Sequence, residues 1–127
     1  MLEMYVVNLS NPGVSTKVHP AMVPGGEIYY DTSTFENETI VDPIVVSPDG
    51  TKVIYAADLE TDEKVELYMT DLNNLGTATK LNSTLVSGGA VTIAYQFMDN
   101  SSGVIFVADQ DTDGTNELYH KCQSKEG

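Results

Sequence analysis

The 127-residue sequence contains no tryptophan, one cysteine, and only 6 Lys and Arg residues against 19 Asp and Glu residues. The single cysteine, Cys122, excludes an intrachain disulfide and predicts either a free thiol or a link between two chains. The formal net charge of −13 argues against nucleic acid as a partner, since phosphate backbones are also negative. The charge is instead typical of a well-solvated surface, of bound cations or of a basic protein or peptide partner.

Long hydrophobic runs are also missing, so no membrane insertion is expected. The first residues show no signal peptide, and the chain is expected to be cytoplasmic, to follow a removed leader, or to lie inside a longer gene. The sequence contains no nucleophile elbow, phosphate loop or His-Glu-x-x-His motif. Its two histidines, His19 and His120, fall on different predicted elements, so we expect no catalytic site and no enzyme activity.

What the sequence does contain is an internal repeat, in which a Glu-x-Tyr triplet occurs three times, at Glu3–Tyr5, Glu66–Tyr68 and Glu117–Tyr119. Two longer alignments surround these triplets, one at an offset of 63 residues and one at an offset of 51. The aligned pairs are Asn11–Lys17 with Asn74–Lys80, Gly25–Gly26 with Gly88–Gly89, and Val53–Asp58 with Val104–Asp109. The 12-residue difference between the offsets places an insertion between Glu27 and Val46, whose polar run Asp31–Thr39 predicts a loop or an extended hairpin. We predict one domain, 1–127, with repeat units of about 3–65 and 66–116 and a partial unit at 117–127.

The repeated segments have the composition of strands, and we find no sustained helical periodicity. Lys52–Ala57 and Val104–Ala108 are rich in Val, Ile and aromatic residues, and Val65–Leu72 alternates between two faces. Turn-forming sequences separate them, notably Ser47–Gly50 and Asp111–Gly114. The three repeated tyrosines could line a ligand surface, but packing between strands explains them more simply.

The segment Ser47–Tyr55, Ser-Pro-Asp-Gly-Thr-Lys-Val-Ile-Tyr, followed by Glu66–Leu72, Glu-Leu-Tyr-Met-Thr-Asp-Leu, resembles the TolB-like β-propeller repeat. The same repeat occurs in the propellers of prolyl-oligopeptidase-like enzymes. The second copy departs from the pattern, because Met98–Ser101 replaces the Ser-Pro-Asp-Gly turn. The resemblance implies an all-β fold of antiparallel four-stranded blades, and a periplasmic or extracellular location.

Placed on this sequence, the family's blade gives about two four-stranded antiparallel propeller blades. The expected strands are 3–9 and 15–19, then 41–47, 52–58, 65–72 and 77–82, then 90–98, 103–109 and 116–121. Closed propellers usually have about four to eight blades, so two blades would leave apolar faces in water. Three outcomes remain open: closure by homo-oligomerisation, with a trimer giving a six-bladed ring; a fragment of a larger protein; or repacking into a two-sheet sandwich.

One acidic turn predicts a calcium site with Asp109, Asp111, Asp113 and Glu117 as ligands. Acidic residues at alternate positions, with glycine at the sixth, can direct several carboxylates to one point, and Ca²⁺ takes about six to eight oxygen ligands. The pattern resembles the calcium loops of integrin-type propellers. The alternative is a polar hairpin turn in which Asp and Gly serve backbone geometry alone. The corresponding turn of the first copy, Asp58–Glu66, lacks the glycine and favours this alternative there.

The sequence therefore predicts a noncatalytic binding or scaffold module of the TolB-like propeller type. Its acidic loops would suit a cation or a basic peptide. Two alternatives are a fragment of the propeller domain of a larger peptidase-like enzyme and a calcium-stabilised adhesion-type unit. Fold resemblance alone does not distinguish these functions.

Overall fold

The computed structural model describes residues 3–28, 33–35, 38–40, 44–98 and 102–122, and these contain eleven strands and no helix. The strands are β1 (Tyr5–Val7), β2 (Ser15–Lys17), β3 (Ser33–Phe35), β4 (Glu38–Ile40), β5 (Ile44–Val46), β6 (Lys52–Ala57), β7 (Glu66–Asp71), β8 (Thr79–Lys80), β9 (Val91–Phe97), β10 (Gly103–Ala108) and β11 (Glu117–Cys122). The all-β prediction is confirmed. Within the described ranges, no helix is long and apolar enough to cross a membrane.

All strand pairs are antiparallel and form four sheets. The N-terminal sheet is β1–β2, the central sheet is β5–β6–β7–β8, and the C-terminal sheet is β11–β10–β9. The remaining pair, β3–β4, is the hairpin predicted for the insertion, although 31–32, 36–37 and 41–43 lie outside the described residues. The predicted division into two, four and three strands is confirmed, with β1, β2 and β8 shorter than expected.

The N-terminal, central and C-terminal sheets pack face to face around two hydrophobic cores. The N-terminal core lies between the N-terminal and central sheets and contains Met4, Val18, Ile28, Val53, Tyr55, Ala57, Leu59 and Tyr68. The C-terminal core lies between the central and C-terminal sheets and contains Ile54, Ala56, Leu67, Leu81, Val91, Tyr95, Val104, Phe106 and Ala108. Strand β6 of the central sheet is thus covered on both faces, which explains why it is a continuous apolar run rather than an alternating one. Three sheets rather than two take part in this packing, and the sheets of the described residues close into neither a barrel nor a propeller.

The repeated tyrosines serve mainly to pack strands together. Tyr68 stacks on Tyr55 with ring centroids 6.2 Å apart, and Tyr119 stacks on Phe106 at 5.6 Å. Both are directly opposed cross-strand pairs, in β6–β7 and β10–β11 respectively. Tyr5, on the short N-terminal sheet, is instead 51 % exposed. The packing interpretation therefore holds for two of the three tyrosines.

Candidate functional site

The turns that join β6 to β7 and β10 to β11 are organised by two equivalent aspartates. The Asp58 carboxylate accepts hydrogen bonds from the backbone N–H of Glu27 at 2.7 Å and of Glu63 at 2.9 Å. The Asp109 carboxylate accepts the equivalent bonds from Ala90 at 2.6 Å and Gly114 at 3.0 Å. Each aspartate therefore ties its own turn to the segment that enters its sheet. These backbone bonds lower the pKa of Asp109, the bond from Gly114 contributing most.

Two glycines allow the entering segments to approach these turns. Gly25 and Gly88 have φ angles of +86° and +84°, a backbone conformation that residues other than glycine rarely adopt. A Cβ atom on Gly25 would lie 2.6 Å from an Asp62 carboxylate oxygen, and one on Gly88 would lie 2.7 Å from an oxygen of Asp113. The glycine match in the sequence thus marks a contact between the entering segment and the turn in both copies.

The four residues predicted to bind calcium all lie in or beside the second turn. Asp109 uses both carboxylate oxygens for backbone amides, while Asp113 lies against Gly88. The Tyr119 hydroxyl donates to Asp111 at 2.9 Å and to Glu117 at 3.3 Å. Partial burial, followed by the bond to Asp111, raises the pKa of Tyr119 to about 12. Within the described residues, no three His, Cys, Asp or Glu side chains are grouped so that they could hold a metal. Calcium binding therefore stays a prediction.

A cleft of about 320 Å³ lies between the first turn and the segment that enters the C-terminal sheet. Its walls are Asp62, Glu63 and Lys64 on one side and the backbone-rich segment 86–90 on the other. Asp113 approaches the same segment at Gly88. Three carboxylates and one ammonium group thus lie in or beside the cleft, whose net charge is negative. Such a site can attract a guanidinium or ammonium group, and polar backbone groups can orient it.

Glu63 contributes to this cleft in an unusual conformation, with a φ angle of 67°. It is the only residue other than glycine with a positive φ in the described part of the chain, and its counterpart in the second turn is Gly114, at 83°. A non-glycine residue there costs about 1–2 kcal/mol. The sequence shows that the first turn lacks this glycine, but the sequence alone does not show that Glu63 keeps the positive φ of its counterpart.

The two histidines of the chain lie apart from each other. His19 is buried after β2, where its Nδ1 lies 2.8 Å from the Pro20 carbonyl oxygen. Its Nε2 and the Tyr68 hydroxyl are buried with no hydrogen-bond partner among the described residues. His120 lies on β11, where its Nε2 is 3.4 Å from the Cys122 sulfur, and both side chains are exposed. The two histidines therefore lie on separate elements, as expected.

Comparisons with protein-family models, curated proteins and solved structures found no match to this chain. The resemblance to TolB-like repeats accordingly rests on the motifs in the sequence.

Proposed function

We propose that the chain is a noncatalytic binding and scaffold module of the TolB-like propeller type, which binds a basic segment of a partner protein in the cleft between its first acidic turn and the segment 86–90. The observation that carries the proposal is the cleft itself, with Asp62 and Glu63 on one wall and Asp113 beside the other. A net charge of −13 on the chain adds long-range attraction for a cationic partner.

The aspartates of the two turns differ in their roles, and this difference supports a binding role for the turns. Asp58 and Asp109 are engaged by backbone amides and fix the shape of the turns. Asp62 and Asp113 are exposed and project over the entering segments. The framework is shared by both copies, so the exposed residues can vary without loss of the fold. This arrangement suits recognition by loops on a rigid support.

Calorimetry with a short lysine- and arginine-rich peptide, and with a neutral peptide of the same length, tests the proposal. The double variant Asp62→Asn, Glu63→Gln removes two charges from the cleft and should weaken binding roughly fivefold, as two exposed ion pairs would allow. The matched control, Asp49→Asn, Asp71→Asn, removes two charges from turns at the other end of β6 and should change the affinity little. Binding should weaken as salt is added.

Equal loss in the two double variants would show that only net charge matters, and absence of binding at low salt would refute the proposal. The rival function, the propeller of a larger peptidase-like enzyme, predicts a gene product much heavier than 13.8 kDa. Mass spectrometry of the protein from its native source, with a search for a hydrolase domain on the same chain, decides between the two.

A further inference from the structure

The two interfaces between the stacked sheets are built from equivalent residues. At the N-terminal core, Met4 of the N-terminal sheet packs in one cluster with Tyr55 of the central sheet. At the C-terminal core, Leu67 of the central sheet clusters with Phe106 of the C-terminal sheet. Leu67 corresponds to Met4 at the offset of 63 (67 − 4), and Phe106 corresponds to Tyr55 at the offset of 51 (106 − 55). Residues at one interface can therefore be compared with their equivalents at the other, and a residue that is buried in one copy and exposed in the other marks missing cover.

The far face of the C-terminal sheet lacks the cover that its counterpart has. Leu67, on β7 of the central sheet, is 0 % exposed, whereas the equivalent Leu118 on β11 is 69 % exposed. Ile54 on β6 is fully buried, whereas the equivalent Ile105 on β10 is only half-buried. The C-terminal sheet thus presents to solvent the face that the central sheet buries.

The central sheet has a complementary gap on its N-terminal side. Ile44 and Val46 of β5 are 40 % and 54 % exposed. Their equivalents on β9 are Tyr95, which is 7 % exposed, and Phe97, which packs against the C-terminal core. β9 is covered because it contacts β5 and β6. Among the described residues the N-terminal sheet contains β1 and β2, which are the equivalents of β7 and β8, and neither strand covers Ile44 and Val46.

The N-terminal sheet also has a free edge. In the central sheet β7 pairs with β6 on one side and β8 on the other. Its equivalent β1 pairs with β2, and no other described strand pairs with β1. The missing neighbour is an equivalent of β6, and the part of the chain that the structure describes contains one such strand, β10.

We propose that β9 and β10 of one copy of this chain join β1 and β2 of a second copy to form a four-stranded sheet with the strand order of the central sheet. This sheet brings Ile105 over Ile44 and Val46 of the second copy, which reproduces the packing of Ile54 near Tyr95 and Phe97 within one chain. One occupant thus covers Ile105 on the open face, Ile44 and Val46 on β5, and the free edge of β1, while Leu118 leaves the face together with β11. The junction is head to tail, because different surfaces of the two copies meet.

Strand β11 leaves β10 when the junction forms, since β1 and β11 both carry the Glu-x-Tyr sequence and occupy equivalent positions. All six side chains of β11 are exposed except that of Tyr119, which is half-buried. Its equivalent β7 has four buried side chains among six. Strand β11 pairs with β10 over six residues and stacks Tyr119 on Phe106, so the junction has to replace these contacts with equivalent ones from β1 and Tyr5. The unpaired edge of β1 is of the kind that pairs readily with another strand.

Light scattering on a sizing column, supported by sedimentation velocity, tests the junction with two single variants, Ile105→Asp and Val46→Asp. The unmodified chain should show a mass above 13.8 kDa that rises with protein concentration and, because each copy carries a charge of −13, with salt. Each variant alone should remain at the mass of one chain. An equimolar mixture should give dimers of twice that mass, because each variant retains the surface that the other has lost.

Leu9→Asp is the matched control, since Leu9 is an apolar residue that is 89 % exposed and belongs to neither core, and it should assemble as the unmodified chain does. Circular dichroism establishes that each variant is folded, and recovery in the mixture does so independently. A single-chain mass for the unmodified protein at all concentrations overturns the proposal. So does continued association of Val46→Asp alone, which would indicate a symmetric contact, or loss of association in the Leu9 control. The peptide-binding result is separate, since binding weakens with salt whereas assembly strengthens.

Discussion

Replacing Asp58 by asparagine should destabilise the chain by disrupting the tie between the first turn and the segment that enters the central sheet. The Asp58 carboxylate is 7 % exposed and accepts hydrogen bonds from the amides of Glu27 and Glu63. Asparagine keeps one acceptor oxygen, so one of the two amides faces an NH₂ group and loses its partner. A hydrogen bond to a charged group contributes about 1.5–3 kcal/mol, and we expect a loss of about 2 kcal/mol in the free energy of unfolding.

Thermal and urea unfolding followed by circular dichroism measure this change. About 2 kcal/mol corresponds to a fall of roughly 8 °C in the midpoint for a chain of this size, with an unchanged urea m-value. The matched control, Glu60→Gln, removes one charge from the same turn. Glu60 is exposed and pairs with Lys80 at 2.7 Å, so its loss should cost less than about 0.5 kcal/mol. If Asp58→Asn costs no more than Glu60→Gln, the structural role assigned to Asp58 is wrong.

Three further predictions use the same unfolding assay. Gly89→Ala should lower the midpoint, because a Cβ atom on Gly89 would lie 2.7 Å from the Asp109 backbone oxygen; an unchanged midpoint would contradict this close approach. The bonds from Ser47 and Thr51 lower the pKa of Asp49 from 3.8 to about 2, so the stability they add should be lost as the pH falls through this interval. Asp49→Asn should flatten that pH dependence, and an unchanged slope would refute the assignment. The calcium hypothesis predicts that a chelator lowers the midpoint and that Asp113→Asn abolishes the shift, while an unchanged midpoint would remove it.

The position of the insertion could be predicted from the sequence because the repeat supplied two copies of several elements, and the strand order was predicted from the resemblance to the propeller blade. Val53–Ala57 and Val104–Ala108 match in composition, and they form β6 and most of β10. The 12-residue difference between the two offsets placed an insertion between Glu27 and Val46, and the β3–β4 hairpin lies within this range. Turn positions followed from residues with special backbone preferences, such as Gly50, which adopts a positive φ of 75°.

The roles of the acidic residues could not be predicted in the same way. Asp109 fits a metal loop and an amide-binding turn equally well in sequence, because both uses require a carboxylate followed by a glycine. The two interpretations differ in the partner, Ala90, which lies 19 residues away and meets Asp109 only in the folded chain. The cleft at Asp62 likewise depends on the approach of the segment 86–90. Spatial neighbours of this kind are set by sheet stacking rather than by local sequence.

Amide hydrogen exchange tests most directly the central claim, that both copies of the repeat share one framework organised by Asp58 and Asp109. The amides of Glu27, Glu63, Ala90 and Gly114 belong to no named strand, yet the account predicts that all four exchange slowly. Asp58→Asn should release the first two and leave the others protected, and Asp109→Asn should do the reverse. Exchange of all four at the rate of open turns in the unmodified chain would contradict the account.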